Sequence, residues 1–321
     1  MEEIKLILAS LNKDFPWDIE YIYDLNAISW EKLLILAKEN NLLYLVSNFI
    51  YKNHFQLLDN ATKKEIEKII SNGKDDIQCI RDAVNFLNAD CSFDLVLHKT
   101  YRAYDRIPSD LDFIVDDYDS SCAELTKSCG SPAHVDKSVP DANFYHQNGV
   151  KLHLHKRVGW LGKRYMDDDL YLKDVRKVIF NGVEVKIPGY DADYLIHLAH
   201  MNFEPLHFTL SDLVYLHSIW HLVDHDFCKK QSKKYRWLGS FNRTEKLLNE
   251  YRLAFFDSSD VVHDFNFNPI MPKTFSRFHM ILSFLEKGII LEPLKKFPKV
   301  LKVLFSGDSY KGFYTPPENK L

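Results

Sequence analysis

Asp110 and Asp112, in the stretch Ser109-Asp110-Leu111-Asp112-Phe113-Ile114-Val115, are carboxylates spaced i and i+2. On a strand that spacing turns both side chains to one face. Two ionised carboxylates side by side repel each other unless a cation lies between them. A hard divalent ion, Mg2+ or Mn2+, suits such a pair, with substrate phosphates completing its shell. The chemistry implied is two-metal phosphoryl transfer: one ion activates the attacking oxygen, the other holds the triphosphate and its leaving group. The competing account is a solvated strand end, because two aspartates one residue apart are common by chance. Lys99, Thr100, Arg102 and Arg106 precede the pair by a short loop and are placed to meet phosphates. With the hydroxyl of Ser109 beside the pair, Lys99, Thr100 and Arg106 form the candidate nucleotide-binding set.

Other residue types also invite chemistry. The chain has 14 histidines, with His197 and His200 spaced i, i+3 and His217, His221 and His225 spaced i, i+4, i+8. On one continuous helix the last three would share a face, and helical i, i+4 histidines do ligate zinc. No glutamate follows the first of them, and Trp220 and Leu222 point to a packed helix instead. Arg157, Gly159, Trp160, Gly162, Lys163 and Arg164 make a basic, aromatic loop that could grip a triphosphate or stack a base. A surface loop anchored by a buried Trp160 is the alternative. Asp167-Asp168-Asp169 reads as an acidic turn or helix start. Lys295, Lys296, Lys299 and Lys302 read as the solvated face of a basic amphipathic helix, with an RNA or anionic surface as the alternative.

The elements that must position the aspartates are legible in outline. Residues 93–97 and 110–115 are β-prone, with a polar turn region between them ending at Pro108. Val150-Lys151-Leu152-His153-Leu154-His155 alternates strictly, as a half-buried strand does. The runs 177–180 and 183–187, joined by Asn181-Gly182, predict a hairpin. Before them the periods are helical. Ser29 is placed to cap a helix with Leu33, Leu34, Leu36 and Ala37 on its buried face. Ile66, Ile69, Ile70, Ile77, Ile80, Val84 and Leu87 recur at helical steps, and Gly73 predicts a weak point that splits the run in two. Helical periods return from Asp191 onward. The expected fold is therefore α+β: a small mixed sheet in residues 91–190, flanked by a helical N-terminal part, 1–90, and a helical C-terminal part, 191–321.

These pieces resemble a known family. Lys99-Thr100-Tyr101, Tyr104, Arg106 and then Ser109 to Val115 look like the signature of the uncharacterised, mostly prokaryotic nucleotidyltransferase-like proteins of the polymerase-beta superfold. Ile28-Ser29-Trp30-Glu31-Lys32-Leu33-Leu34 resembles that family's N-terminal helix. Val150 to His153 is similar to its strand ending in Leu-His. Ile187-Pro188 with Asp193 to His200 resembles its helix after the sheet. The resemblance spans about residues 26–220 and implies a nucleotidyltransferase-type sheet over residues 91–190. It also implies Mg2+ or Mn2+ held by Asp110 and Asp112, a nucleoside triphosphate as substrate, and transfer of a nucleoside monophosphate to a hydroxyl. The acceptor is a small molecule, protein or RNA.

Two departures bear on activity. Lys99-Thr100 stands where the superfold usually has Gly-Ser. The strand that carries the third carboxylate of active members offers Lys151, His153 and His155 instead, so His153 is either a ligand or general base in its place or a half-buried polar residue. The alternative to an enzyme is thus an inactive nucleotide- or protein-binding relative, in a toxin–antitoxin-like pair by family analogy.

Composition sets the frame. A net charge of −4 over 321 residues gives no global basic field for nucleic acid. The five cysteines are odd in number and lack C-x-x-C spacing, which fits free thiols in a reducing compartment. The N-terminus lacks the apolar run of a signal peptide, and no stretch is long enough to span a bilayer. The expectation is a cytoplasmic protein with no membrane partner.

Overall fold

The computed structural model describes residues 2–12, 22–136, 141–160, 163–203 and 209–252. The helices α1 (Glu2–Asn12), α2 (Trp30–Glu39), α3 (Leu43–Asn53) and α4 (Asn60–Ala89) come first. Then follow β1 (Leu95–Leu97), β2 (Leu111–Val115), α5 (Tyr118–Cys129), β3 (His134–Asp136), β4 (Asp141–Tyr145) and β5 (Lys151–His155). Two short strands, β6 (Gly159–Trp160) and β7 (Lys163–Arg164), form a small hairpin ahead of α6 (Asp169–Leu172). The hairpin β8 (Val175–Phe180) and β9 (Val183–Pro188) leads into α7 (Tyr190–Phe203), α8 (Leu210–Ile219), α9 (His225–Lys234) and α10 (Leu238–Arg252). The protein is α+β, as expected. Among the described residues no helix is long and apolar enough to cross a membrane.

The main sheet has the order β1-β2-β5-β4-β3. β2 pairs antiparallel with β1 and parallel with β5, and β5 pairs antiparallel with β4. Parallel neighbours need a long crossover, here supplied by α5, β3 and β4. Alternation then separates two faces. Leu111, Phe113, Val115, Leu152, Leu154, Ala142 and Phe144 join one apolar core with Leu125 of α5, Val84 and Leu87 of α4, and Phe180 and Ile187 of the hairpin. The opposite face carries Asp112, His153, His155, Asp141 and Asn143, since register partners share a face. β3, β4 and α5 were not read from the sequence.

Local chemistry explains the elements. The Ser29 hydroxyl accepts from Lys32 N–H at the start of α2. Asp59 caps α4 by accepting from Ala61 and Thr62 N–H. Asn181 and Gly182 adopt φ of 47° and 85°, the paired left-handed conformations of a two-residue hairpin turn.

Gly73 does not split α4, which runs unbroken for 30 residues. The glycine is there for close approach: a Cβ at position 73 would sit 2.2 Å from Cδ2 of Tyr44 on α3. Helix propensity alone would make Gly73→Ala stabilising by about 1 kcal/mol. The clash reverses the sign, and a net loss of about 1–2 kcal/mol is expected in urea melts. Tyr44→Leu should rescue it, which a propensity effect would not require.

The terminal helices share a second core. Leu6, Leu33, Val46 and Ile66 pack in one cluster with Leu195, Leu213, Trp237 and Phe241, together with Tyr104 and Ile114 from the sheet region. The described parts of the stretches 1–90 and 91–190, with residues 191–252, thus build two cores between them. Lys295, Lys296, Lys299 and Lys302 lie outside the described residues.

Candidate functional site

The polar sheet face converges on Asp112. Its carboxylate Oδ1 lies 2.8 Å from His155 Nε2, 3.1 Å from His153 Nδ1 and 4.0 Å from Lys99 Nζ. His153 sits directly opposite Asp112 in the parallel register, and its Nε2 is 3.7 Å from Asp141 Oδ2 on the neighbouring strand. Asp110, one residue before β2, pairs with Lys151 Nζ at 3.0 Å and accepts from the Ser109 hydroxyl at 3.0 Å. Asp110, Asp112 and His153 therefore do come together, with one ligand-capable atom from each inside a 4.8 Å span. Lys151 lies beside them through its pair with Asp110.

Electrostatics follow from this crowding. Burial by itself would raise the Asp112 carboxyl, but Lys99 and the hydrogen bonds from His153 and His155 hold it well below the usual carboxylate range. Burial opposes charge on His153, yet its bond to Asp112 and the nearby Asp141 carboxylate outweigh that and raise it to about 9. His155 goes the other way: burial lowers it, against its bond to Asp112. A shift in that direction favours the imidazolium form of His153 at neutral pH, a proton donor rather than a base.

The loop between β1 and β2 is held from behind. The Thr100 hydroxyl accepts from Asp112 N–H at 3.1 Å, and His98 N–H donates to the Asp112 carbonyl at 2.9 Å. Lys99 takes φ of 58°, a left-handed conformation that costs a side-chain-bearing residue about 1 kcal/mol. It is stabilised there by arginines. Arg102 Nη1 donates to the carbonyls of Lys99 and Tyr101 at 2.9 and 2.7 Å, and Arg106 Nη1 to that of Thr100 at 3.2 Å. Asn181 clamps Arg106 in turn, accepting its backbone N–H at 3.0 Å and donating to its carbonyl at 2.8 Å. Of the residues expected to meet phosphates, Lys99 reaches the site and Ser109 borders it. Thr100 and Arg106 direct these groups at backbone.

Behind the loop lies a buried charge network. Arg102 Nη2 donates to Asp212 on α8, and Tyr104 bonds Ser211. Arg176 Nη2 donates to Asp193 and to the Tyr215 hydroxyl, each at 2.8 Å. His197 sits between Arg102 and Asp193. Its burial, with Arg102 beside it, lowers its pKa to about 4. The unfolded chain thus takes up a proton near pH 6.5 that the folded chain refuses until about pH 4, so stability falls as pH drops through that window. His153 has the opposite sign: its contribution is complete below pH 6.5 and is lost as pH rises toward 9. Each limb is worth at most about 3 kcal/mol. In chelator, unfolding free energy is expected to peak near pH 6.5, with His153→Gln flattening the alkaline limb. A profile that climbs from pH 6.5 to 9 would contradict this assignment.

The other histidines do not assemble. α8 ends at Ile219, a 3-10 turn spans Trp220–Leu222, and α9 starts at His225, so His217, His221 and His225 share no helix. His225 instead binds Glu245 at 2.7 Å and faces the Trp220 carbonyl at 3.1 Å. Among the described residues, the groups able to hold a metal ion all lie on the polar sheet face or directly beside it. Asp167 is tied to Lys234 and Tyr235, and Arg164 pairs with Asp168 at 3.0 Å. Gly162 and the side chains of Trp160 and Lys163 lie outside the described residues.

Three residues of the cluster were not among the expected site residues. His98, Asp141 and His155 join it, His98 with Asp112 and His155, and Asp141 with His153 and His155. His155 was within reach, because it shares the face of His153 by the same i, i+2 rule. No family model, curated protein or solved structure matches this chain.

Proposed function

We propose that this protein is nucleotidyltransferase-like: it binds a nucleoside triphosphate with a divalent cation at Asp110, Asp112 and His153 and transfers a nucleoside monophosphate to a hydroxyl acceptor. The observation that supports it is the β2–β5 register, which sets His153 opposite Asp112 at the strand mouth where Asp110 ends the preceding loop. The donor chemistry fits a divalent ion. Two carboxylate oxygens suit Mg2+ or Mn2+, and the imidazole nitrogen of His153 tilts the set toward Mn2+. When bound, such an ion neutralises the triphosphate and stabilises charge on the leaving group.

The chain's own residues would do the rest. Asp110 and Asp112 supply oxygen ligands on one face. Lys151 and Lys99 now neutralise those carboxylates, and a cation in their place frees both ammonium groups for phosphate oxygens. Arg102 and Arg106 keep the Lys99 turn in its left-handed conformation, so it needs no reorganisation on binding.

A second account rests on those same lysines. With Lys151 on Asp110 and Lys99 beside Asp112, the carboxylates are already neutralised from within, which suits a module that binds nucleotide without turnover. One experiment separates the two. The purified chain is incubated with each α-labelled triphosphate, Mg2+ or Mn2+, and total RNA, protein or small hydroxyl acceptors. Labelled product that disappears with Asp110→Ala/Asp112→Ala supports the enzyme, and label transfer that persists in that variant overturns the mechanism. Nucleotide binding with no product supports the module.

A further inference from the structure

The cluster holds more donors than a two-carboxylate Mg2+ site uses. We propose that His98, Asp112 and His155 form a second, inner cation site for zinc, bridged to the outer position through the Asp112 carboxylate.

The three residues come from three adjacent segments of the sheet: His98 directly after β1, Asp112 within β2 and His155 at the end of β5. All are buried, at 1%, 9% and 8% exposure. One donor atom from each lies within 4.8 Å of the others, and His155 Nε2 is 2.8 Å from Asp112 Oδ1. Tetrahedral ligands at zinc distances lie about 3.4 Å from one another, so these separations bracket what the ion requires. The rings of His98 and His155 already meet edge-on with centroids 4.8 Å apart.

Donor chemistry selects the ion. Two imidazoles and one carboxylate are the protein ligands of open zinc sites, which keep a fourth position for water or substrate. Imidazole nitrogen favours zinc over the hard ions, whereas Mg2+ demands oxygen. The outer triple, Asp110, Asp112 and His153, shares only Asp112 with this one. His153 and His155 both meet Asp112 Oδ1, so filling both positions requires the carboxylate to offer its second oxygen to one of the ions, as at two-metal sites.

Other charged groups face the same space. Lys99 Nζ, 4.0 Å from Asp112 Oδ1, must swing aside for the ion, and His153 lies against His155 with ring centroids 3.8 Å apart. Asp141, 3.7 Å from His153, adds a carboxylate on the far side and favours a cation there.

The test uses the full chain, stripped with chelator and titrated with Zn2+ and with Co2+ in the absence of nucleotide. Tight zinc binding is expected, together with the visible absorption of tetrahedral Co2+. His98→Gln and His155→Gln should each weaken it by at least about 10–100-fold, while exposed His221→Gln should not. X-ray absorption of the zinc-loaded wild type should count two imidazoles, a readout that survives any failure of the variants to fold. An all-oxygen shell, no zinc uptake, or uptake indifferent to both substitutions would overturn the proposal. Because no nucleotide is present, a failure here is distinct from failure to transfer one.

Discussion

Asp112→Asn should lower stability by about 3 kcal/mol and, on the proposed transferase reading, abolish nucleotide transfer. The carboxylate is 9% exposed and faces Lys99, His153 and His155. An amide keeps the shape and one acceptor oxygen but removes the only negative charge those three groups share at that point. The imidazolium of His153 then loses what holds its proton, and its release limits the cost. Urea midpoints at pH 7 measure the stability change. A double-mutant cycle with Lys99→Met should show that the two losses are not additive, because they remove one interaction. An Asp112→Asn protein as stable as wild type would mean that the buried charges around it are solvated in a way the geometry does not allow.

Arg102→Met should cost about 3–5 kcal/mol, among the largest effects of any substitution outside the Asp112 cluster. The guanidinium is 4% exposed and serves two masters, the Asp212 carboxylate and the carbonyls of Lys99 and Tyr101. Removing it leaves a buried aspartate without that counterion and lets the Lys99 turn relax from its left-handed conformation. Arg102→Lys should recover little, since one ammonium cannot reproduce the fork that spans α8 and the turn. Acidification gives the check: with Asp212 protonated the missing charge matters less, so the deficit measured in urea should shrink as pH falls toward 4.

How much of this was legible depends on what kind of force fixed each residue. β2, β5 and the β8–β9 hairpin were readable because alternation and the Asn181-Gly182 turn are local signals. β4 was not. Asp141-Ala142-Asn143-Phe144-Tyr145 opens with two residues depleted in strands, and its pairing with β5 is what makes it one. Asp141 could not be placed at the site without it. Arg102 and Arg106 show the opposite problem. Charge is visible in a sequence and burial is not, so two arginines that brace a turn look like arginines that wait for phosphate. Gly73 is a third case: propensity marks it as a weak point, and only the ring of Tyr44 reveals why a glycine is required there. The three histidines at i, i+4, i+8 failed because their periodicity continues across a helix boundary that Trp220–Leu222 imposes.

The 30-residue helix α4 has a consequence for how the molecule comes apart. Its first half sends Ile66 and Ile70 into the core shared by the terminal helices, and its second half sends Ile80, Val84 and Leu87 beneath the sheet. A helix about 45 Å long that is unbroken across both cannot lose one core without exposing its own apolar stripe. The two cores should therefore open as one cooperative unit. Amide exchange along α4 should report a single free energy from Ile66 to Leu87, equal to that of global unfolding, where two independent domains would give a step at Gly73.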